Sequence, residues 1–226
     1  MLEVAELYER RTATDVVFDQ LYEEIASLKL LPGTKLSEAE VAKRFGVSRQ
    51  PIRDAFNRLD NLNLIVIRPQ KATKVRGFSM QHIAHARFVR LAVELEVVRC
   101  ACPIWDKASA EALEQNLVQQ LKAVANDDPA LLHDLDYRFH KVICDRGGSP
   151  MAFETIQECK RKVDRLCALS HTRKNELSAI YDDHQAMAKA LNAGDSETAA
   201  TATRHHLNRL DETIAEIHQS HPEYFE

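Results

Sequence analysis

From Ser79 onward the apolar residues of this chain recur at intervals of three and four, and nowhere alternate as a half-buried strand requires. No other feature constrains the fold as much, because amphipathic helices without a sheet can bury their stripes only against one another. Six helical segments follow, at 81–102, 109–126, 129–145, 151–170, 174–192 and 197–220, the longest open to a bend. Breaks fall at Pro103, Asp127-Asp128-Pro129, Gly147-Gly148-Ser149-Pro150, Thr172 and Gly194-Asp195. Joined by short loops, the segments predict an antiparallel six-helix bundle. Gly77-Phe78-Ser79 marks its start, dividing the chain into residues 1–77 and 78–226.

Charge divides the chain at the same place. Lys43 to Arg76 holds nine basic residues against Asp54 and Asp60, a local net of +7. Phe78 to the end carries 17 basic and 23 acidic residues, a contrast that the overall −4 conceals. A basic module attached to an acidic one fits a polyanionic partner; a solvated basic face with no partner is the competing reading. With 45% of 226 residues hydrophobic, a disordered or low-complexity chain is excluded. No apolar run approaches the roughly 20 residues of a membrane span, and Met1-Leu2-Glu3-Val4-Ala5-Glu6 has neither the basic region nor the apolar core of an export signal. Five cysteines, an odd number without C-x-x-C spacing, read as reduced core thiols of a cytoplasmic protein.

Ahead of the boundary the order is helix, helix, helix, hairpin. Thr14 can cap a helix with Val17, Leu21, Ile25 and Leu28 inward, stopped by Leu31-Pro32-Gly33. Ser37, with Glu40 three residues on, is a capping box for a short helix striped by Val41, Ala42 and Phe45. Gly46 ends it. Ser48 caps the next, with Pro51 in its first turn, Ile52, Ala55, Phe56 and Leu59 inward, and Asn63 placed where a left-handed residue closes a helix. Leu64-Ile65-Val66-Ile67 and Thr73-Lys74-Val75 have strand character around the turn-like Arg68-Pro69-Gln70-Lys71-Ala72. Two short helices joined by a Gly-containing turn form a helix-turn-helix, whose second helix enters the major groove of DNA. Here its first turn offers Ser48, Arg49, Gln50 and Arg53; arginine forks onto guanine and glutamine onto adenine. The hairpin, with Arg68, Lys71, Lys74 and Arg76, would be a wing set against phosphates.

The run Leu36-Ser37-Glu38-Ala39-Glu40-Val41-Ala42-Lys43-Arg44-Phe45-Gly46-Val47-Ser48-Arg49-Gln50-Pro51-Ile52-Arg53, continued by Leu59 through Pro69, resembles the winged helix-turn-helix of the GntR family of bacterial transcription regulators. The resemblance implies a homodimer on double-stranded DNA, with Arg44, Arg49 and Arg53 at the DNA. Two-fold symmetry then calls for an inverted-repeat operator. Asn63 and Ala72 stand where that family usually has Gly, and Ala72 alters the wing tip, where Gly allows close backbone approach.

In the acidic module one Asp and three His stand out. Asp136 and His140 are four apart, roughly 40° in helical projection, so their side chains converge. His184 lies on a face with Leu177, Ile180, Tyr181, Ala188 and Leu191; His206 shares a stripe with Ala199, Leu210 and Ile217, whereas His205 projects among Arg209, Glu212 and Glu216. Three imidazoles and a carboxylate facing an apolar interior suit a divalent transition metal, although histidines in such a stripe are more often hydrogen-bonded core residues than ligands. Asp136-Tyr137-Arg138-Phe139-His140, Asp183-His184, Gly194-Asp195 and His206-Leu207 resemble, in order and spacing, the ligand-sensing (FCD) domain of the FadR-type branch of that family. The resemblance spans about residues 14–218 and implies a metal on Asp136, His140, His184 and His206, zinc first, nickel or manganese also suited. Arg90 and Glu94 match a second pattern of the family. An inward Arg90 would fork onto an organic carboxylate effector, or the two residues simply form an i,i+4 ion pair. Arg138 and Arg165 are further effector candidates; the spacing of His133 also lets it approach the cavity.

The function expected is a mainly α DNA-binding regulator, not an enzyme, controlled by a small carboxylate at a metal site. Two alternatives stand beside it. A metal-dependent hydrolase has the ligands but no H-E-x-x-H motif or comparable positioned base. A DNA-binding protein whose bundle only dimerises would use the histidines structurally.

Overall fold

The computed structural model describes residues 11–68, 71–148, 150–169 and 174–226, in two compact units. The export-signal reading of Met1 to Glu6, the Pro69-Gln70 centre of the turn and the breaks at Ser149 and Thr172 lie outside the described residues. One unit runs to Ser79 and takes in Glu223–Glu226; the other is Met80–Pro222. The division therefore falls two residues beyond the expected one, and the last four residues join the DNA-binding side.

In the first unit, helix α1 (Ala13–Ala26) is capped by Thr12, not Thr14. The Thr12 hydroxyl accepts from the Asp15 amide at 3.1 Å, and the Asp15 carboxylate accepts from the Thr12 amide at 3.0 Å. Thr14 would have had Val17 in the reciprocal position, with nothing to return the bond. The helix ends before Leu28, which takes a left-handed φ of 59° and leaves the buried stripe to Val17, Leu21 and Ile25. Helix α2 (Glu38–Phe45) starts at Ser37, whose hydroxyl accepts from the Glu40 amide, and stops at Gly46 in the left-handed region, φ 66°. Helix α3 (Arg49–Asn61) buries Ile52, Ala55, Phe56 and Leu59, and Asn63 closes it at φ 57°. Strands β1 (Lys35–Leu36), β2 (Ile65–Val66) and β3 (Thr73–Val75) form an antiparallel sheet in the order β1-β3-β2. The hairpin is as expected; β1 adds a third strand, with Lys35 directly opposite Lys74.

The second unit holds α4 (Met80–Ala101), α5 (Lys107–Ala125), α6 (Pro129–Arg146), α7 (Pro150–Cys167), α8 (Lys174–Asn192), α9 (Ser196–Asn208) and α10 (Leu210–Ser220). Seven helices stand among the described residues where six were expected, because the last one breaks at Arg209. Asp106, Asp128 and Asp195 cap α5, α6 and α9 through their carboxylates, and Pro129 opens α6, where its missing N–H costs nothing. Helix α4 packs on α7 and α9, and α5 on α6 and α8. Their shared core is built around Val98, Ala101, Leu113, Phe139, Ile143, Ile156, Met187 and Leu191. Among the described residues no helix is long and apolar enough to cross a membrane.

Candidate functional site

Helix α6 presents Asp136 and His140, and α8 and α9 bring His184 and His206 against them. All four are buried, and one donor atom from each lies within 4.8 Å of the others. The Nε2 atoms of His184, His206 and His140 stand 3.3, 3.6 and 3.7 Å from Asp136 Oδ1. Four ligands at ~2.0–2.1 Å around a tetrahedral ion would be about 3.3 Å apart, so the cluster is near the size of a metal shell.

Two of the rings are held from behind by their other nitrogen, and the third, His206, has its Nδ1 turned toward a carboxylate beyond hydrogen-bond distance. His140 Nδ1 lies 2.6 Å from Glu94 Oε2, His184 Nδ1 2.9 Å from Gln120 Oε1, and His206 Nδ1 3.6 Å from Asp183 Oδ2. Gln120 is fixed in turn, donating to Asn116, which donates to the Leu135 carbonyl. Phe139 stacks on His184 with ring centroids 4.2 Å apart. Outer partners of this kind set the tautomer that leaves Nε2 free to coordinate. A purely structural histidine would spend both nitrogens; here His184 Nε2 is buried with no hydrogen-bond partner among the described residues, and Asp136 Oδ2 accepts no hydrogen bond but faces the Lys160 ammonium at 3.3 Å. The donor set fits a metal ion.

Burial drives His184 down to about 3 and lowers His206 as well. At His140 burial also opposes charge, but the Glu94 carboxylate and the contact with Asp136 outweigh it and raise the ring to about 9. Burial pushes Asp136 up, yet Lys160 and the imidazoles hold it well below the ordinary 3.8. Burial raises Cys144 and Cys167 to about 12, which leaves them inert thiols.

A cavity of about 190 Å³ adjoins the cluster, its polar wall including Arg90, His133, Asp136, Lys160, Asp164, Glu176, His206 and Arg209. The ion pair expected of Arg90 is present, its Nε donating to Glu94 Oε1 at 2.6 Å, and the side chain also lines the cavity. Glu94 does not line it. Its carboxylate is taken up by Arg90 and His140. Arg138 is exposed, projecting from α6 two residues beyond Asp136, and Arg165 is buried away from the cavity; neither lines it. The sequence reading missed Lys160, whose buried ammonium donates to Asp164 at 2.9 Å, lies 3.3 Å from Asp136 Oδ2 and sits over the Tyr137 ring. The Tyr137 hydroxyl donates to the same Asp164. A lysine in the apolar phase of Ile156 and Val163 was the available signal.

In the first unit Ser48, Arg49, Gln50 and Arg53 are all exposed at the start of α3. Ser48 holds the N-cap position without spending its hydroxyl on the cap. Arg49 makes no ion pair among the described residues, whereas Arg53 pairs with Glu38 at 2.9 Å and Gln50 donates to Asp54. Arg44, also exposed, forks onto the largely buried Glu24 of α1. Arg68, Lys71 and Lys74 are exposed on the wing. Lys35, not singled out in the sequence, faces Lys74 across the sheet, a like-charge pair that an anion would relieve.

A three-helix unit with a basic wing, followed by a helical bundle around a buried carboxylate–imidazole cluster, defines a transcription regulator built from two modules. The pattern of the gntR family of bacterial regulatory proteins matches residues 13–75, and that of the FCD domain matches residues 86–209. The chain belongs to the GntR family, as an FCD-domain member. It is 33% identical to the HTH-type transcriptional repressor RspR of Escherichia coli (strain K12), over 94% of this chain and 95% of that protein. The uncharacterized HTH-type transcriptional regulator YdfH of Shigella flexneri matches to the same extent. Among solved structures, E. coli McbR/YncC shares the fold with a TM-score of 0.70 at 21% identity, covering 93% of this chain and 99% of that one. These relatives are regulators of transcription, not enzymes.

Proposed function

We infer that the chain is a cytoplasmic, homodimeric regulator whose operator affinity is set by a small organic acid bound beside a divalent metal in the bundle. The observation that carries this reading is the convergence of three Nε2 atoms on Asp136, with the far nitrogens of His140 and His184 held from behind. Asp136, His140, His184 and His206 would hold the ion; zinc suits the set best, and nickel or manganese also fit. When bound, the ion supplies a fixed positive centre facing the cavity. The chain's own cations, Arg90 and Lys160, orient an effector carboxylate there, and the apolar wall excludes water around it. On the DNA side Ser48, Arg49, Gln50 and Arg53 read bases, while Arg68, Lys71, Lys74 and Lys35 hold phosphates.

The test is elemental analysis of the purified protein, followed by operator binding with a panel of short carboxylic acids on chelated and remetallated samples. The expected result is about one metal ion per chain, lost in Asp136→Asn, and an effector response that needs the ion. An identical response in chelated and remetallated protein would leave the metal a structural role only.

A further inference from the structure

The break between α9 and α10 is held by two arginines. Arg209 donates through Nε and Nη2 to the two oxygens of Asp183, each at 2.8 Å, and Asp183 stands behind His206. Arg87 pairs with Asp211 and donates to the Leu207 carbonyl that the break exposes. Arg209, Leu210 and Thr213 also line the bundle cavity, so an anion there competes with Asp183 for Arg209. The first turn of α10 is thus part of the cavity wall.

The other end of α10 leads into the DNA-binding unit. Two residues, His221 and Pro222, separate Ser220 from Glu223–Glu226, which belong with the wing. There the Phe78 amide donates to the Tyr224 carbonyl at 2.8 Å, and the Glu226 amide donates to the Phe78 carbonyl at 2.9 Å. The Phe78 and Phe225 rings lie 5.6 Å apart, and Arg76 is 3.9 Å from Glu226. Gly77 accommodates this segment: a Cβ there would come within 2.9 Å of the Tyr224 carbonyl oxygen. Residues 76 to 78 directly follow β3, the strand that carries Lys74. Extended, a two-residue link spans at most ~7 Å.

We propose that α10 and the segment after it are the transmission element of this regulator, with the Arg209 fork on Asp183 as its input and the Phe78–Phe225 bridge below the wing as its output. A ligand that engages Arg209 or alters His206 gives α10 a differential contact, and the wing receives it through the docked backbone rather than through the recognition helix. The proposal rests on the bundle cavity being the effector site.

Hydrogen exchange on the full chain, with zinc ions as the probe, tests it. In the wild type, zinc changes the protection of the Phe78 and Glu226 amides on the order of fivefold or more, the usual scale of coupling between sites. In Gly77→Ala, whose added methyl displaces Tyr224, calorimetry still finds zinc bound, its affinity shifted by no more than about the same fivefold factor, while that change disappears. Zinc binding without any change at those amides in the wild type, or the same change in Gly77→Ala, overturns the transmission role and leaves the metal site standing. If zinc does not bind, the metal reading fails by itself, and metal-free protein decides the proposal. Arg209→Gln then speeds exchange at Phe78 and Glu226 by a similar factor, and Asp211→Asn, which loosens the same break from the α4 side, does so too. Unchanged exchange in both variants overturns it.

Discussion

At His140 a carboxylate stands on each side of the ring, Glu94 2.6 Å from Nδ1 and Asp136 3.7 Å from Nε2, and this governs how the metal-free protein responds to pH. The ring is raised from 6.5 to about 9, so its contribution to stability is fully present below about 6.5 and is lost as pH climbs through 9. Burial pushes Glu94 up, but His140 and Arg90 prevail and hold it near 2; its contribution is present above 4.5 and fades as pH falls toward 2. The melting temperature of metal-free protein should therefore fall between pH 6.5 and 9, and Glu94→Gln should flatten that fall. Loading zinc at pH 7.5 must expel the His140 proton, about one per ion, which calorimetry in two buffers of different ionisation heat will read. No proton release would contradict the assignment of His140 as a charged ligand-in-waiting. Glu94 thus moves proton competition above the ordinary histidine range near 6.5. The convergence of Asp136, His140, His184 and His206 was legible because the first two stand four apart, the last two share apolar stripes, and the resemblance joined the four. Lys160 and the role of Glu94 were not, since they depend on how α4 and α7 lie against α6, which helical phase does not fix.

Among the elements, α3 and the wing should divide the work of DNA binding. Arg49→Ala removes a base-reading fork and should weaken specific binding by about 1–3 kcal/mol, with random duplex little affected. Lys71→Ala or Lys74→Ala should weaken specific and random duplex alike and reduce the salt slope by about one. Anisotropy titrations across salt concentrations separate the two patterns, and equal losses on random DNA for all three would refute the division. Helix α1 offers a stability test away from the DNA. Thr12→Ala opens its capping box and should cost about 1 kcal/mol in urea unfolding, while Thr14→Ala should cost much less, the reverse of the order read from the sequence. The helices were legible because caps and periodicity are local. Strand β1 was not, because two residues cannot show alternation; it exists by pairing with β3.

For the whole molecule, a bound ion would tie α6, α8 and α9 together. Binding to the native state alone stabilises by about 4 kcal/mol when free metal exceeds its dissociation constant a thousandfold. His184→Ala should abolish the rise in melting temperature on adding zinc while leaving metal-free operator binding measurable in a gel-shift assay. A variant that keeps the full zinc shift would remove His184 from the ligand set. The two-module division and the bundle were readable from charge and periodicity. The break at Arg209 and the transfer of Glu223–Glu226 to the first unit were not, because both arise from contacts between segments distant in the chain. The order of the ligands along the chain has a consequence during synthesis. Domains tend to fold as they leave the ribosome, N-terminal first. Helices α1 to α3 and the wing strands emerge before residue 80, whereas His206 and the segment that docks below the wing emerge last. Each nascent chain therefore passes through an interval in which α1 to α3 and the wing strands are already made while the carboxylate–imidazole cluster still lacks its last histidine.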